Sequence, residues 1–146
     1  MESRPGSSSL RRGRRSIPGQ IYLVTTVTAK RIPCFENFAA ACAAARCFHE
    51  CGAMAWVLMP DHAHWLLQLE SGTLNESVMR LKSLSARAVN SALDRTGPIW
   101  QPGYHDRALR RDEDLITAAR YLIANPIRAK LATKLGDYPY WNAAWL

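Results

Sequence analysis

No stretch of the 146-residue chain approaches the roughly eighteen consecutive apolar residues that a membrane-spanning helix needs. The opening MESRPGSSSLRRGRRS has no hydrophobic segment to act as a secretory signal, so a cytoplasmic protein is expected. Acidic residues are few: 12 Asp and Glu stand against 19 Lys and Arg, a formal net charge of +7. The expected partner is therefore polyanionic, nucleic acid ahead of an anionic membrane surface. Cysteines number only four (Cys34, Cys42, Cys47, Cys51). Cys42 and Cys47 fall in an alanine-rich helical pattern as small buried thiols, and Cys47 and Cys51 have no second pair to complete a four-ligand metal set. No internal repeat is apparent. The length and the 48% hydrophobic content suit one domain with a real core.

What is there divides into a polar arm and a folded region. Residues 1 to 19 are rich in Ser, Gly, Pro and Arg, with Arg11, Arg12, Arg14 and Arg15 nearly contiguous. Such a segment has too little to bury and is expected to be a flexible basic arm, either a solvated tail or one that contacts phosphates. From residue 20 to 146 a single domain is expected. QIYLVTTVT (20 to 28) reads as a strand, and ENFAAACAAARCFHECG (36 to 52) as a helix ended by Gly52. AMAWVL and HAHWLLQL read as two strands joined at Met59, Pro60 and Asp61. Leu74, Val78, Leu81, Leu84, Ala88 and Leu93 define an amphipathic helix with Arg80, Lys82 and Arg87 off its apolar stripe. Residues 97 to 110 read as extended, and 111 to 126 as a further helix with Asp112 as its cap and Asn125 closing it before Pro126. Strand, helix, strand, strand, helix, strand and an extra helix match a ferredoxin-like α+β sandwich, an antiparallel sheet with helices on one face plus an additional C-terminal helix.

The chemistry concentrates in VLMPDHAHWLLQL (57 to 69). A strand places alternate residues on one face, so His62 and His64 point side by side while Ala63, Trp65, Leu67 and Leu69 face the other way. Two imidazoles together, beside Asp61 at a hairpin mouth, suggest a metal. On the last helix Thr117, Tyr121 and Asn125 share a stripe at four-residue spacing, bringing a phenol and a carboxamide to one side. The ordinary alternatives are a packing aromatic and a helix terminator.

MPDHAH on a strand, YLIANP on a later helix and GPIWQPGYHDRALRRDEDL between them resemble the single-tyrosine HUH transposases, in particular the REP-associated tyrosine transposases of bacteria. The resemblance runs from about Pro18 to Leu146. It implies a ferredoxin-like enzyme that binds Mg²⁺ or Mn²⁺ and nicks single-stranded DNA near a hairpin through a tyrosine. It further implies that His62 and His64 are metal ligands, Tyr121 the nucleophile and Asn125 the third ligand. One departure stands out: many members carry a histidine where this chain has Ile123.

Such chemistry suits these residues. A cation on a phosphodiester oxygen offsets the charge that repels a nucleophile, and phenolate both attacks and leaves well. An ordinary phenol is ionised in only about one molecule in a thousand at pH 7, so a base or cation must assist; Asp61, His105 and Asp106 are candidate bases. Tyr104 is a rival nucleophile. For DNA, Arg11, Arg12, Arg14, Arg15, Arg80, Lys82, Arg87, Arg107, Arg110 and Arg111 offer cations, and Trp65, Trp100, Tyr104 and Trp141 offer stacking faces. The expected function is metal-dependent nicking and strand transfer on hairpin DNA, by a protein of the bacterial cytoplasm that joins the nucleoid when DNA-bound and has no membrane partner; between monomer and homodimer the reading leans to the monomer and leaves the choice open. The alternatives are a domesticated DNA-binding protein that no longer cleaves, and a small metallohydrolase, weakened because the barrel that often uses His-x-His needs about 250 residues.

Overall fold

The computed structural model describes residues 19–110 and 115–144. The arm arginines Arg11, Arg12, Arg14 and Arg15, together with Arg111 and the cap Asp112, lie outside the described residues. Five strands form one antiparallel sheet: β1 (Ile21–Val27), β2 (Ala55–Met59), β3 (His62–Gln68), β4 (His105–Ala108) and β5 (Trp141–Ala143), in the order β4-β1-β3-β2-β5. The helices are α1 (Phe38–Glu50), α2 (Leu74–Leu93), α3 (Leu115–Ile123) and a single turn, α4 (Asn125–Arg128). The expected α+β order is present. Among the described residues no helix is long and apolar enough to cross a membrane.

Local chemistry sets the boundaries. Asn37 caps α1 by accepting from the Ala40 amide, and Thr73 and Glu76 form a reciprocal capping box on α2. The β2–β3 hairpin turns on Pro60 and Asp61 alone, with Met59 paired to His62. Its two carbonyls are used, by the Phe35 amide at 3.1 Å and the Thr28 amide at 2.9 Å. The turn that presents His62 is thereby pinned to the segment following β1.

Both faces of the sheet are covered, unequally. On one face α1 and α2 pack over Tyr22, Val24, Ala63 and Trp65, with Phe48 stacked on Trp56 at 5.6 Å and edge-on to Trp65 at 5.1 Å. On the other, α3 lays Ala119, Leu122 and Ile123 on Ala55, Val57, Met59 and Leu66. Every residue of β2 is buried as a result, which is why that strand reads as continuously apolar rather than alternating. The α3 cover stops short of the β1 side and leaves a cleft there.

Two elements differ from expectation. Of residues 97 to 110 only His105–Ala108 is a strand, and β5 was not anticipated. The approach to β5 is anchored by Tyr138, whose hydroxyl donates to the Leu58 carbonyl at 2.6 Å. Burial, and then the neighbouring Tyr140, push this phenol up to about 12. The folded chain thus retains a proton that the unfolded chain loses near pH 10, so the contribution to stability is complete below about pH 10 and is lost as the pH rises towards 12. Tyr138→Phe is expected to lower stability by about 1 kcal/mol at neutral pH. It should also flatten the alkaline fall of Tm, and a Tm–pH curve parallel to the wild type's would exclude this role.

Candidate active site

The cleft, of about 370 Å³, has a floor of Leu23, Thr25, His64 and Arg107 and a wall of Thr117, Ala118, Tyr121, Leu122 and Asn125. Strand register explains the floor. Thr25 of β1 lies opposite both His64 on β3 and His105 on β4, and Leu23 lies opposite both Leu66 and Arg107. Directly opposed residues share a face, so His64, Thr25 and His105 form one row across the sheet. Asp106 alternates to the other side. His62 pairs with Val27 one step along and stands beside His64, the rings edge to face with centroids 4.9 Å apart.

Each imidazole is anchored by its Nδ1. That of His64 lies 2.8 Å from Thr25 Oγ1, and that of His62 lies 2.7 Å from Asp61 Oδ1. Asp61 receives Arg31 through its other oxygen at 2.9 Å. Burial alone would raise the Asp61 carboxyl, but hydrogen bonds from His62 and Arg31 and the charges behind them hold it below its ordinary value. Asp61 is therefore occupied as an orienting carboxylate and is poorly placed to act as a free base. Burial first, then the charges of His62 and Arg128, push His64 down to about 4, leaving a neutral imidazole at neutral pH.

With Nδ1 engaged on both rings, the two Nε2 atoms are the donors left for a cation, and a carboxylate or hydroxyl behind each ring is the support that metal-binding histidines require. Among the described residues no three His, Cys, Asp or Glu side chains gather to hold a metal. An oxygen donor of another type, the Asn125 carboxamide, shares the cleft with His64. Two imidazoles and an amide oxygen fit Mn²⁺ more comfortably than Mg²⁺, which prefers oxygen alone.

The expected stripe holds: Thr117, Tyr121 and Asn125 all face the cleft. Tyr121 is 67% exposed rather than turned inward. Asn125 does not simply close the helix before Pro126; α3 ends at Ile123 and Asn125 opens α4. Because Pro126 has no N–H to give Leu122, the Asn125 amide nitrogen supplies the missing donor to the Leu122 carbonyl at 2.8 Å. Its oxygen accepts from Arg128 at 2.8 Å. The guanidinium of Arg128 also lies over the Tyr121 ring, 3.7 Å from its centroid, an attraction of roughly 0.5–1 kcal/mol at an exposed site. Reading the sequence missed Arg128; a cation in the turn after an Asn-Pro break was the available signal.

Other expected residues are elsewhere. Arg80, Lys82 and Arg87 sit on α2, across the sheet from the cleft, and Lys82 donates to the Gln101 and Gly103 carbonyls at 2.7 Å each. Trp65 and Trp100 are buried, the latter donating to Ser85 Oγ at 2.9 Å, so neither offers a face to a base. Tyr104, 3% exposed with its hydroxyl 3.3 Å from Asn75 Oδ1, is no rival nucleophile. Ile123 is buried under the sheet, so its position carries no proton-transfer group facing the cleft.

Comparison with known proteins bears on the fold and the family. The chain is similar to a REP-associated tyrosine transposase of Escherichia coli (strain K12), 24% identical across 59% of this chain and 50% of that one. It is also similar to a Haemophilus influenzae protein provisionally named for the same activity, 28% identical across 60% and 56%. The chain thus spans about half the length of the curated relatives it matches. Among solved structures, a REP-associated tyrosine transposase bound to a REP hairpin superposes with a TM-score of 0.67 at 21% identity, over 88% of this chain and 79% of that one. A Deinococcus radiodurans protein provisionally described as a transposase gives 0.53 at 22%, over 81% and 95%. At these identities the two structures establish the fold. The family described as Transposase IS200 like matches residues 20–125, a span that holds both histidines, the exposed tyrosine and Asn125, and the chain belongs to that family.

Proposed function

We propose that the protein nicks and transfers single-stranded DNA at hairpin-forming, REP-like sequences, with Tyr121 as nucleophile and a divalent cation, Mg²⁺ or Mn²⁺, as cofactor. The observation that supports this reading best is the exposed phenol on the wall of a cleft whose floor carries His64, with His62 beside it and both rings anchored through Nδ1. His62, His64 and Asn125 would hold the cation. When bound, it would supply positive charge at a non-bridging phosphate oxygen. The chain's own part is to set the Tyr121 oxygen against phosphorus. A bond from that oxygen to phosphorus forms as the P–O3′ bond breaks; the phenol proton is lost and the 3′ oxygen gains one. The resulting 5′-phosphotyrosine retains the energy of the broken bond, so another 3′-hydroxyl can reverse the step without ATP. Arg107 lies in the cleft to meet phosphate, and His105 shares the floor's row and is the base candidate best placed.

Incubation with labelled hairpin DNA and Mn²⁺ should give a covalent protein–DNA adduct that chelator abolishes. Binding without an adduct in any divalent metal would instead favour a DNA-binding protein that no longer cleaves, a reading to which Ile123 lends weight. Asp61→Asn keeps the shape but weakens the support behind His62, and is expected to reduce Mn²⁺ affinity about 10- to 100-fold in calorimetry. Unchanged affinity would remove Asp61 from the site.

A further inference from the structure

We propose that Arg128 is the positioning residue of the site, fixing the Tyr121 ring and the Asn125 amide together through one guanidinium. This rests on the reading of Tyr121 as nucleophile. Three contacts carry it. The guanidinium lies 3.7 Å from the Tyr121 ring centroid, and its Nη2 donates to the Tyr121 carbonyl at 2.7 Å and to Asn125 Oδ1 at 2.8 Å.

The helix break makes these contacts available. The last carbonyls of α3 lose their main-chain donors where the chain turns into α4. Arg120 keeps one from the Ala124 amide, Leu122 takes the Asn125 side chain, and Tyr121 takes Arg128. A cap at an exposed helix end would be served equally well by water. Capping alone therefore gives no reason for the guanidinium to lie across the ring.

Stacking does something that capping cannot. An exposed tyrosine has two torsions free to rotate, and a flat cation on one ring face restricts both. The same group fixes the flip of the Asn125 amide, nitrogen to the Leu122 carbonyl and oxygen to Arg128. Phenol and amide oxygen then keep a constant relation before DNA arrives, and misplacement of a reacting group by about 1 Å can cost about 100-fold in rate.

The test uses the full chain with Arg128→Gln and Arg128→Lys, their folding checked by circular dichroism. Without DNA, NMR couplings between the Tyr121 α and β protons should show one side-chain rotamer in the wild type and an average in Arg128→Gln. With labelled hairpin and Mn²⁺, single-turnover adduct formation should slow about 100-fold in Arg128→Gln while hairpin Kd changes less than about threefold. Lys, whose single ammonium can hold the two oxygens or lie over the ring but cannot do both at once, should recover only part of the rate. Unaltered couplings in Arg128→Gln, or a loss confined to Kd, would overturn the proposal, the latter making Arg128 a phosphate contact. If the wild type forms no adduct, the nucleophile reading fails, and the couplings alone decide whether Arg128 holds the ring.

Discussion

Tyr121→Phe is expected to abolish the covalent adduct while leaving the fold and hairpin binding nearly intact. The substitution removes one oxygen from a ring that is 67% exposed and whose hydroxyl makes no hydrogen bond among the described residues. Stability should therefore change by no more than about 0.5 kcal/mol. The ring remains, so its packing under Arg128 remains, and the cations expected to meet phosphate are untouched. Only the bond-forming atom is lost, and no residual rate through another tyrosine is expected. Tyr104 is buried against Asn75, and Tyr138 is spent on the Leu58 carbonyl. The measurement is denaturing electrophoresis of protein with 5′- and 3′-labelled hairpin, with binding followed separately by anisotropy. An adduct that persists in Tyr121→Phe would transfer the chemistry to another side chain and sink the mechanism proposed here. Loss of binding together with the adduct would show that the hydroxyl recognises DNA rather than attacks it.

Much of this site is legible in the sequence. The two-residue period of a strand was enough to put His62 and His64 on one face, and the four-residue spacing of a helix was enough to put Thr117, Tyr121 and Asn125 on one stripe. Both are local rules that tertiary packing did not override. The order of elements likewise carried the α+β sandwich, because short connections leave few topologies open. What local rules could not give was adjacency between strands distant in sequence. That Thr25 anchors His64, and that Arg107 shares the floor, follows from β1 lying between β3 and β4.

What the sequence pattern left open has the same physical root. Arg80, Lys82 and Arg87 are polar positions on an amphipathic helix, and the pattern is silent on which face of the sheet that helix covers. Trp65, Trp100 and Tyr104 have ring faces suited to bases, but whether a ring meets solvent or Phe35 and Phe48 depends on packing. Three-residue β5 is too short for any periodicity to show. Arg128 was hidden because its role arises from a break in the helix, where Pro126 leaves Leu122 without its donor and the side chains of Asn125 and Arg128 take over the terminal carbonyls.

Removing both imidazoles, as in a His62→Ala/His64→Ala double variant, should abolish Mn²⁺ binding in the DNA-free protein and slow adduct formation by at least about 10³-fold, the equivalent of about 4 kcal/mol of transition-state stabilisation. The geometry makes the pair a unit. Asp61 holds one ring from the hairpin turn and Thr25 holds the other from β1, so the rings stand nearly perpendicular at 82°. Neither anchor can compensate for a missing partner ring. His64 is the costlier single loss to the fold, because its removal strands the Thr25 hydroxyl in a half-buried position, by about 1 kcal/mol. Burial also keeps its imidazole neutral at neutral pH, so capture of a cation at this proposed ligand need not first displace a proton. The proposed hairpin binding, for which cations elsewhere are the expected contacts, should survive in the double variant within a few-fold. Calorimetry with Mn²⁺ and chelator-controlled cleavage read these effects separately. Cleavage that proceeds at the wild-type rate in the double variant, or in wild-type protein stripped by chelator, would remove the cation from the mechanism and leave Tyr121 to act with Arg107 and His105 alone.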